Sequence, residues 1–233
     1  RAGAGCGAPC AADLVGCRAP LGLTSVTTPT NPGDSLSRRR KLLYILMLGA
    51  LTALGPFTVD LYLPAFPALE ESLAVSEAAV QLTLTGTTIG FALGQLVVGP
   101  LSDKFGRRMP LILATAVHIL ASLGAALSTD ITTLGFFRVL MGIGAAGGGV
   151  VAMAMVRDLF SGFAMVRMFS RMALVNGLAP ILAPVIGSQL LLFMPWPGIF
   201  FFLAAYGMCV LIAAVFVVRE TLPRELRGKS GMT

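Results

Sequence analysis

Gly99-Pro100-Leu101-Ser102-Asp103-Lys104-Phe105-Gly106-Arg107-Arg108 separates two long apolar segments and holds the chain's densest pattern of glycine and charge. Gly99 and Gly106 permit tight turns at a membrane surface. Asp103, Arg107 and Arg108 can pair with charges at neighbouring helix ends, and Arg157 and Asp158, at the end of the fourth apolar segment, are the nearest candidates. Such a latch would stabilise one conformation, and its release would permit rocking. A purely topological role for the cations accounts for Arg107 and Arg108 but leaves Asp103 without a reason.

Outward from this stretch the chain is apolar. Of 233 residues 56% are hydrophobic and 12% charged, and the mean hydropathy is +0.85. Soluble domains carry about 25% charge, so the natural solvent here is lipid. A helix needs about 20 apolar residues to cross the hydrocarbon core. Six segments meet that length, over 42–67, 77–99, 109–128, 131–156, 166–193 and 198–218. In lipid each backbone amide must be satisfied within its own segment, and these runs are too continuous for barrel strands, so an all-α six-helix bundle is expected.

The connections orient that bundle. Arg38 to Lys41 precede the first span, Lys104, Arg107 and Arg108 follow the second, Arg157, Arg167 and Arg171 flank the fourth connection, and Arg219, Arg224, Arg227 and Lys229 follow the sixth. The opposite connections hold Glu70, Glu71, Glu77 and Asp130, with no lysine or arginine. The positive-inside rule then places both ends in the cytoplasm of a multi-pass protein of the cell membrane. The net charge of +6 is thereby a topology signal, and no nucleic-acid partner is needed to explain it. Residues 1–41, rich in Gly, Ala, Pro, Ser and Thr, are expected to be a disordered extension, of the kind a mis-called start produces, and 221–233 the beginning of a cytoplasmic loop. Cys6, Cys10, Cys17 and Cys209 lack the histidines a metal site would need.

Ionisable residues inside a span cost about 2.5–3.5 kcal/mol on insertion scales and mark function by default. Asp60, late in the first span, and Arg138, about two turns into the fourth, both fall in the outer third of the membrane and can share one cavity. A carboxylate beside a guanidinium keeps its charge, and one moved away from it takes a proton more easily. The bland alternatives are an interfacial aspartate and a structural ion pair. Pro56 and Pro64, on either side of Asp60, bend or break the helix. His118 is expected to be a satisfied histidine packed within the bundle. Gly86, Gly90 and Gly94 form a packing seam, with Gln81 and Gln95 as cavity candidates.

These motifs carry a resemblance. The stretch at 99–108 resembles the signature G-x-L-x-D-[RK]-x-G-R-[RK] between the second and third transmembrane helices of the major facilitator superfamily. Asp60-Leu61-Tyr62-Leu63-Pro64-Ala65-Phe66-Pro67 resembles the first helix of the Bcr/CflA drug efflux group. Arg138 to Ala146 is similar to the family's R-x-x-x-G-x-G-A-A motif, whose arginine is associated with proton coupling. Ala179-Pro180-Ile181-Leu182-Ala183-Pro184-Val185-Ile186-Gly187-Ser188 resembles the antiporter motif G-x-x-x-G-P-x-x-G-G, with Ala179, Ala183 and Ser188 in place of glycines and Pro184 and Gly187 kept. Trp196 to Phe200 resembles the W-R-x-x-F turn, with Pro197 in place of arginine, and Glu220-Thr221-Leu222 resembles the family's E-T-L tail.

The resemblance implies drug:proton antiport driven by the proton gradient, with hydrophobic substrates of the bicyclomycin or chloramphenicol type. It implies no organic or metal cofactor, and no P-loop suggests ATP. It covers only the first of two six-helix halves, so the expected partner is a second half or a second copy. The alternative is a truncated or inactive half-transporter. An enzyme is not expected: an intramembrane serine protease needs a Ser–His pair in a suitable context, and an aspartyl type needs two membrane aspartates. A channel would need charge rings or a filter loop.

Overall fold

A computed structural model describes residues 37–218 and is all-helical over that range. The helices are α1 Arg38–Asp60, α2 Phe66–Leu73, α3 Glu77–Phe105, α4 Arg108–Ala126, α5 Ile131–Leu159, α6 Gly162–Phe193 and α7 Pro197–Val217, with a 3₁₀ turn at Leu63–Ala65 between α1 and α2. Six candidate membrane spans result, with α1, the 3₁₀ turn and α2 together forming the first, Lys41–Leu73. Residues 1–36 and Arg219 onward, with the expected disordered extension, three of the cysteines and the E-T-L tail, lie outside the described residues. The end of the bundle bearing Lys41, Lys104, Arg107 and Arg157 is here called the basic end. The opposite end bears Glu70, Glu71, Glu77 and Asp130.

Two boundaries differ from the sequence reading. Helix α1 begins at Arg38, so the four basic residues at 38–41 form its first turn instead of ending a disordered extension. Helix α3 continues past Gly99 to Phe105, and Pro100 lies inside it. Proline removes one amide donor but fits a helix wherever the carbonyl four residues earlier finds another partner or a bend. Gly99 is therefore helical and makes no turn. Gly106 alone turns the chain, at φ 93°, a conformation that side-chain-bearing residues avoid. Pro56, Pro180 and Pro184 are likewise accommodated within helices, whereas the chain does break after Asp60. At the opposite end Asp130 starts α5 by accepting the Thr133 N–H at 2.8 Å.

Helix α5 is the centre, with 61% of its span window buried against 17% for α6 and 28% for α3. Its glycines explain how one helix meets three neighbours. A Cβ on Gly142 would strike the Thr87 carbonyl of α3. One on Gly144 would lie 2.6 Å from the His118 nitrogen of α4, and one on Gly148 would lie 2.9 Å from the Leu51 carbonyl of α1. Backbones approach this closely only where side chains are absent, and that is how helices pack tightly in lipid. Gly86, Gly90 and Gly94 of α3 all face α5 in return.

Hydroxyls inside the bundle are satisfied within their own helices. Thr52, Thr58, Thr87 and Thr115 each donate to the carbonyl four residues earlier, which removes the cost of burying them. Two apolar clusters fill the interior. One, toward the basic end, includes Leu48, Leu51, Met155 and Val210. The other, toward the opposite end, includes Leu61, Tyr62, Leu134 and Phe200. The last turn of α7 is moored twice, its Val217 carbonyl accepting from Tyr44 Oη at 3.2 Å and its Val215 carbonyl from Arg108 at 3.0 Å.

Candidate functional site

Helices α1, α3, α5 and α6 enclose a groove of about 830 Å³. Helix α1 contributes Thr52, Gly55, Pro56, Val59 and Asp60. Phe91, Gln95 and Gly99 come from α3, Gly149, Val150 and Met153 from α5, and Asn176 and Pro180 from α6. Helices α4 and α7 contribute nothing to it. Away from the basic end the walls are mostly apolar, with Thr52, Asp60, Gln95 and Asn176 as the polar groups, the composition of a small-molecule site.

Asp60 is the acid that lines the groove away from its basic end. It is half-buried and has no hydrogen bond or ion pair among the described residues. Arg138 does not line the groove, so in this conformation the two residues do not share the cavity that sequence alone suggested. Arg138 instead meets the backbone of α1 and the Tyr62 ring, and it makes no ion pair with Asp60. Its Nη1 donates to the Thr58 carbonyl at 2.8 Å, and its guanidinium carbon sits 4.0 Å from the Tyr62 ring centroid. It is fully buried, and Nε and Nη2 have no partner.

The basic end of the groove holds Ser102, Asp103, Arg107, Arg157 and Asp158. Arg107 Nε donates to Asp158 Oδ2 at 3.0 Å, and its Nη1 donates to Asp103 and, at 2.8 Å, to Ser102 Oγ. One guanidinium thereby joins the end of α3 to the end of α5. Burial opposes the Arg107 charge, but the hydrogen bonds and charges of Asp158 and Asp103 outweigh it and raise its pKa above the ordinary value. Arg108 serves instead as the α7 mooring, and Arg157 is exposed on the groove wall.

Ala179, Ala183 and Gly187 of α6 recur every four residues as one buried stripe. A Cβ on Gly187 would strike the Leu61 carbonyl, and Pro64 Cγ lies 3.5 Å from the same point, so α6 presses on the break beside Asp60. Pro184 is half-buried beside this stripe. His118 is fully buried, with Nδ1 3.2 Å from the Met141 carbonyl and Nε2 3.5 Å from Ser122 Oγ. Gln95 lines the groove, whereas Gln81 is exposed and does not. Sequence reasoning missed Asn176 and Tyr62. An asparagine in the middle of the fifth span, four residues from Pro180, was a legible signal for the first.

Comparison with known proteins bears on this geometry. The profile described as Major Facilitator Superfamily matches residues 46–232. The chain is 40% identical over 196 residues to "Uncharacterized MFS-type transporter YdgK" of Bacillus subtilis, covering 83% of this chain and 49% of that protein. It is 38% identical over 193 residues to "Bicyclomycin resistance protein homolog" of Haemophilus influenzae, covering 82% and 48%. The fold matches the crystal structure of a D-xylose-proton symporter with a TM-score of 0.69 at 15% identity, covering 82% of this chain and 51% of that one. The chain spans about half the length of the curated relatives it matches.

Proposed function

The chain belongs to the major facilitator superfamily, and from that premise we propose that it forms one six-helix half of a proton-coupled exporter of small hydrophobic drugs. The observation that carries the reading is Asp60, half-buried in the groove and, among the described residues, without a hydrogen bond or ion pair. Such a carboxylate can exchange a proton with the groove and change how the groove holds a substrate. Drugs of the bicyclomycin or chloramphenicol type suit the walls, and the relative named for bicyclomycin resistance supports that class. The proton gradient supplies the energy.

A second six-helix half, or a second copy, completes the carrier by covering the groove. Support comes from α3 and α6, the least buried helices, which both line it. The basic end faces the cytoplasm, because the connections at that end carry the lysines and arginines. The Arg107–Asp158 link acts there as a latch whose release permits the halves to rock.

The test is drug efflux from cells expressing the chain together with its second half. Asp60→Asn and Arg138→Ala each abolish proton-driven efflux, and unchanged efflux in both refutes the coupling role. A fragment without transport of its own is the second reading, favoured by the half-length match to the relatives. Cells expressing the chain alone then match empty-vector controls.

A further inference from the structure

Arg138 presents an electrostatic problem that the fold solves without a carboxylate. A guanidinium buried in a membrane span normally pairs with an acid or faces water. Arg138 is fully buried and makes no ion pair among the described residues. Its one hydrogen bond goes to the Thr58 carbonyl, in the last turn of α1. Carbonyls there lose their helical partners and form the negative end of the helix dipole.

The other contact is the Tyr62 ring, whose face carries negative potential and attracts a cation within about 6 Å. The guanidinium carbon is 4.0 Å from its centroid, and the Phe200 ring is more distant at 5.9 Å. The Tyr62 ring is itself held from three sides. Its centroid lies 5.1 Å from that of Phe66 on α2, edge to face, and 5.5 Å from that of Phe200 on α7. Its hydroxyl lies 3.1 Å from Thr83 Oγ1 on α3. Thr83 spends its single hydroxyl proton on the Val80 carbonyl at 2.7 Å, so Tyr62 is the donor in that pair.

We propose that Tyr62 is a positioning residue that seats the Arg138 cation inside the bundle and thereby leaves Asp60 unpaired toward the groove. The chain break falls between the two functions: Asp60 ends α1 on the groove side, and Tyr62, just past the break, turns its ring into the core. The seat stands independently of transport. Its consequence for coupling rests on the proposed function.

The test separates a cation seat from ordinary packing. Fluorinated phenylalanines are placed at position 62 in the purified protein in lipid nanodiscs, because successive fluorines weaken the ring's face potential at nearly constant shape. The melting temperature falls stepwise with each fluorine, and the fall disappears when Arg138 is replaced by Met. A melting temperature that ignores fluorination, or falls equally with Arg138→Met, overturns the seat. Tyr62→Phe retains most of the parent stability and Tyr62→Leu does not. In the efflux assay Tyr62→Leu loses proton-driven export while Tyr62→Phe keeps it. A stepwise melting series beside full export by Tyr62→Leu leaves the seat standing and overturns its link to coupling.

Discussion

One substitution at two places in the bundle should move stability in opposite directions. At Gly142 of α5 a methyl group would run into the Thr87 carbonyl of α3 and lie 2.8 Å from the Phe91 nitrogen and 3.1 Å from the Thr87 carbonyl carbon. These are backbone atoms, so no rotamer change relieves the clash and the two helices must part. Parting them also loosens Gly94, whose α-carbon face packs on Ile143 and Ala146. Overpacking of this kind costs about 1–3 kcal/mol, and a rigid backbone wall places Gly142 at the upper end. Alanine's helix preference returns about 1 kcal/mol. The net loss for Gly142→Ala is about 2 kcal/mol, which at about 2–4 °C per kcal/mol lowers the melting temperature by roughly 4–8 °C. At Gly177 of α6 nothing lies within 4 Å of the added methyl. Only the helix preference remains, and Gly177→Ala raises the melting temperature by up to about 2–4 °C. The chain has a single tryptophan, Trp196, half-buried against Phe200, so its fluorescence reports both melts. Shifts of the same sign at the two sites, or a Gly142→Ala melt at or above the parent, would refute the claim that close backbone approach dictates these glycines.

Three further outcomes follow from other contacts. Asp158→Ala removes a charged hydrogen bond from Arg107 and costs about 1.5–3 kcal/mol, read as a lower melting temperature, while Lys104→Ala, at an exposed position, leaves the melt within error. Gly187→Val drives α6 off the Leu61 carbonyl and lowers drug efflux, whereas Gly177→Val, with open space around it, spares efflux. The Asp130 carboxyl is held below its usual pKa because it accepts the Thr133 N–H. A depressed folded-state pKa contributes stability above the ordinary carboxylate value and loses it as pH falls through the lowered one. The melting-temperature gap between parent and Asp130→Ala is therefore full at neutral pH and closes in strong acid, while Asp130→Ser stays close to the parent at neutral pH.

The six spans were legible because length and continuous apolarity are what lipid demands of a helix. The turn between α3 and α4 was legible at Gly106 and misplaced at Gly99, because a glycine permits a turn without requiring one. Position along a span could be counted from the sequence for Asp60 and Arg138. Azimuth could not, because it depends on which face of α1 meets α5. That is why the two charges looked like partners, whereas Asp60 lines the groove and Arg138 does not. Tyr62 stood in a recognised run, yet its contact with a residue 76 positions away follows from tertiary packing alone.

Helix α6 is fastened unevenly along its length. Toward the basic end Met168 and Met172 are buried, long side chains that must leave one rotamer well to enter another. Toward the opposite end the seam is Ala179, Ala183 and Gly187, which have no rotamers to change. The fifth crossing is thus gripped at one end and smooth at the other, as a lever is. A roll of the smooth end would therefore require no rotamer change within the stripe, whereas one at the methionine end would.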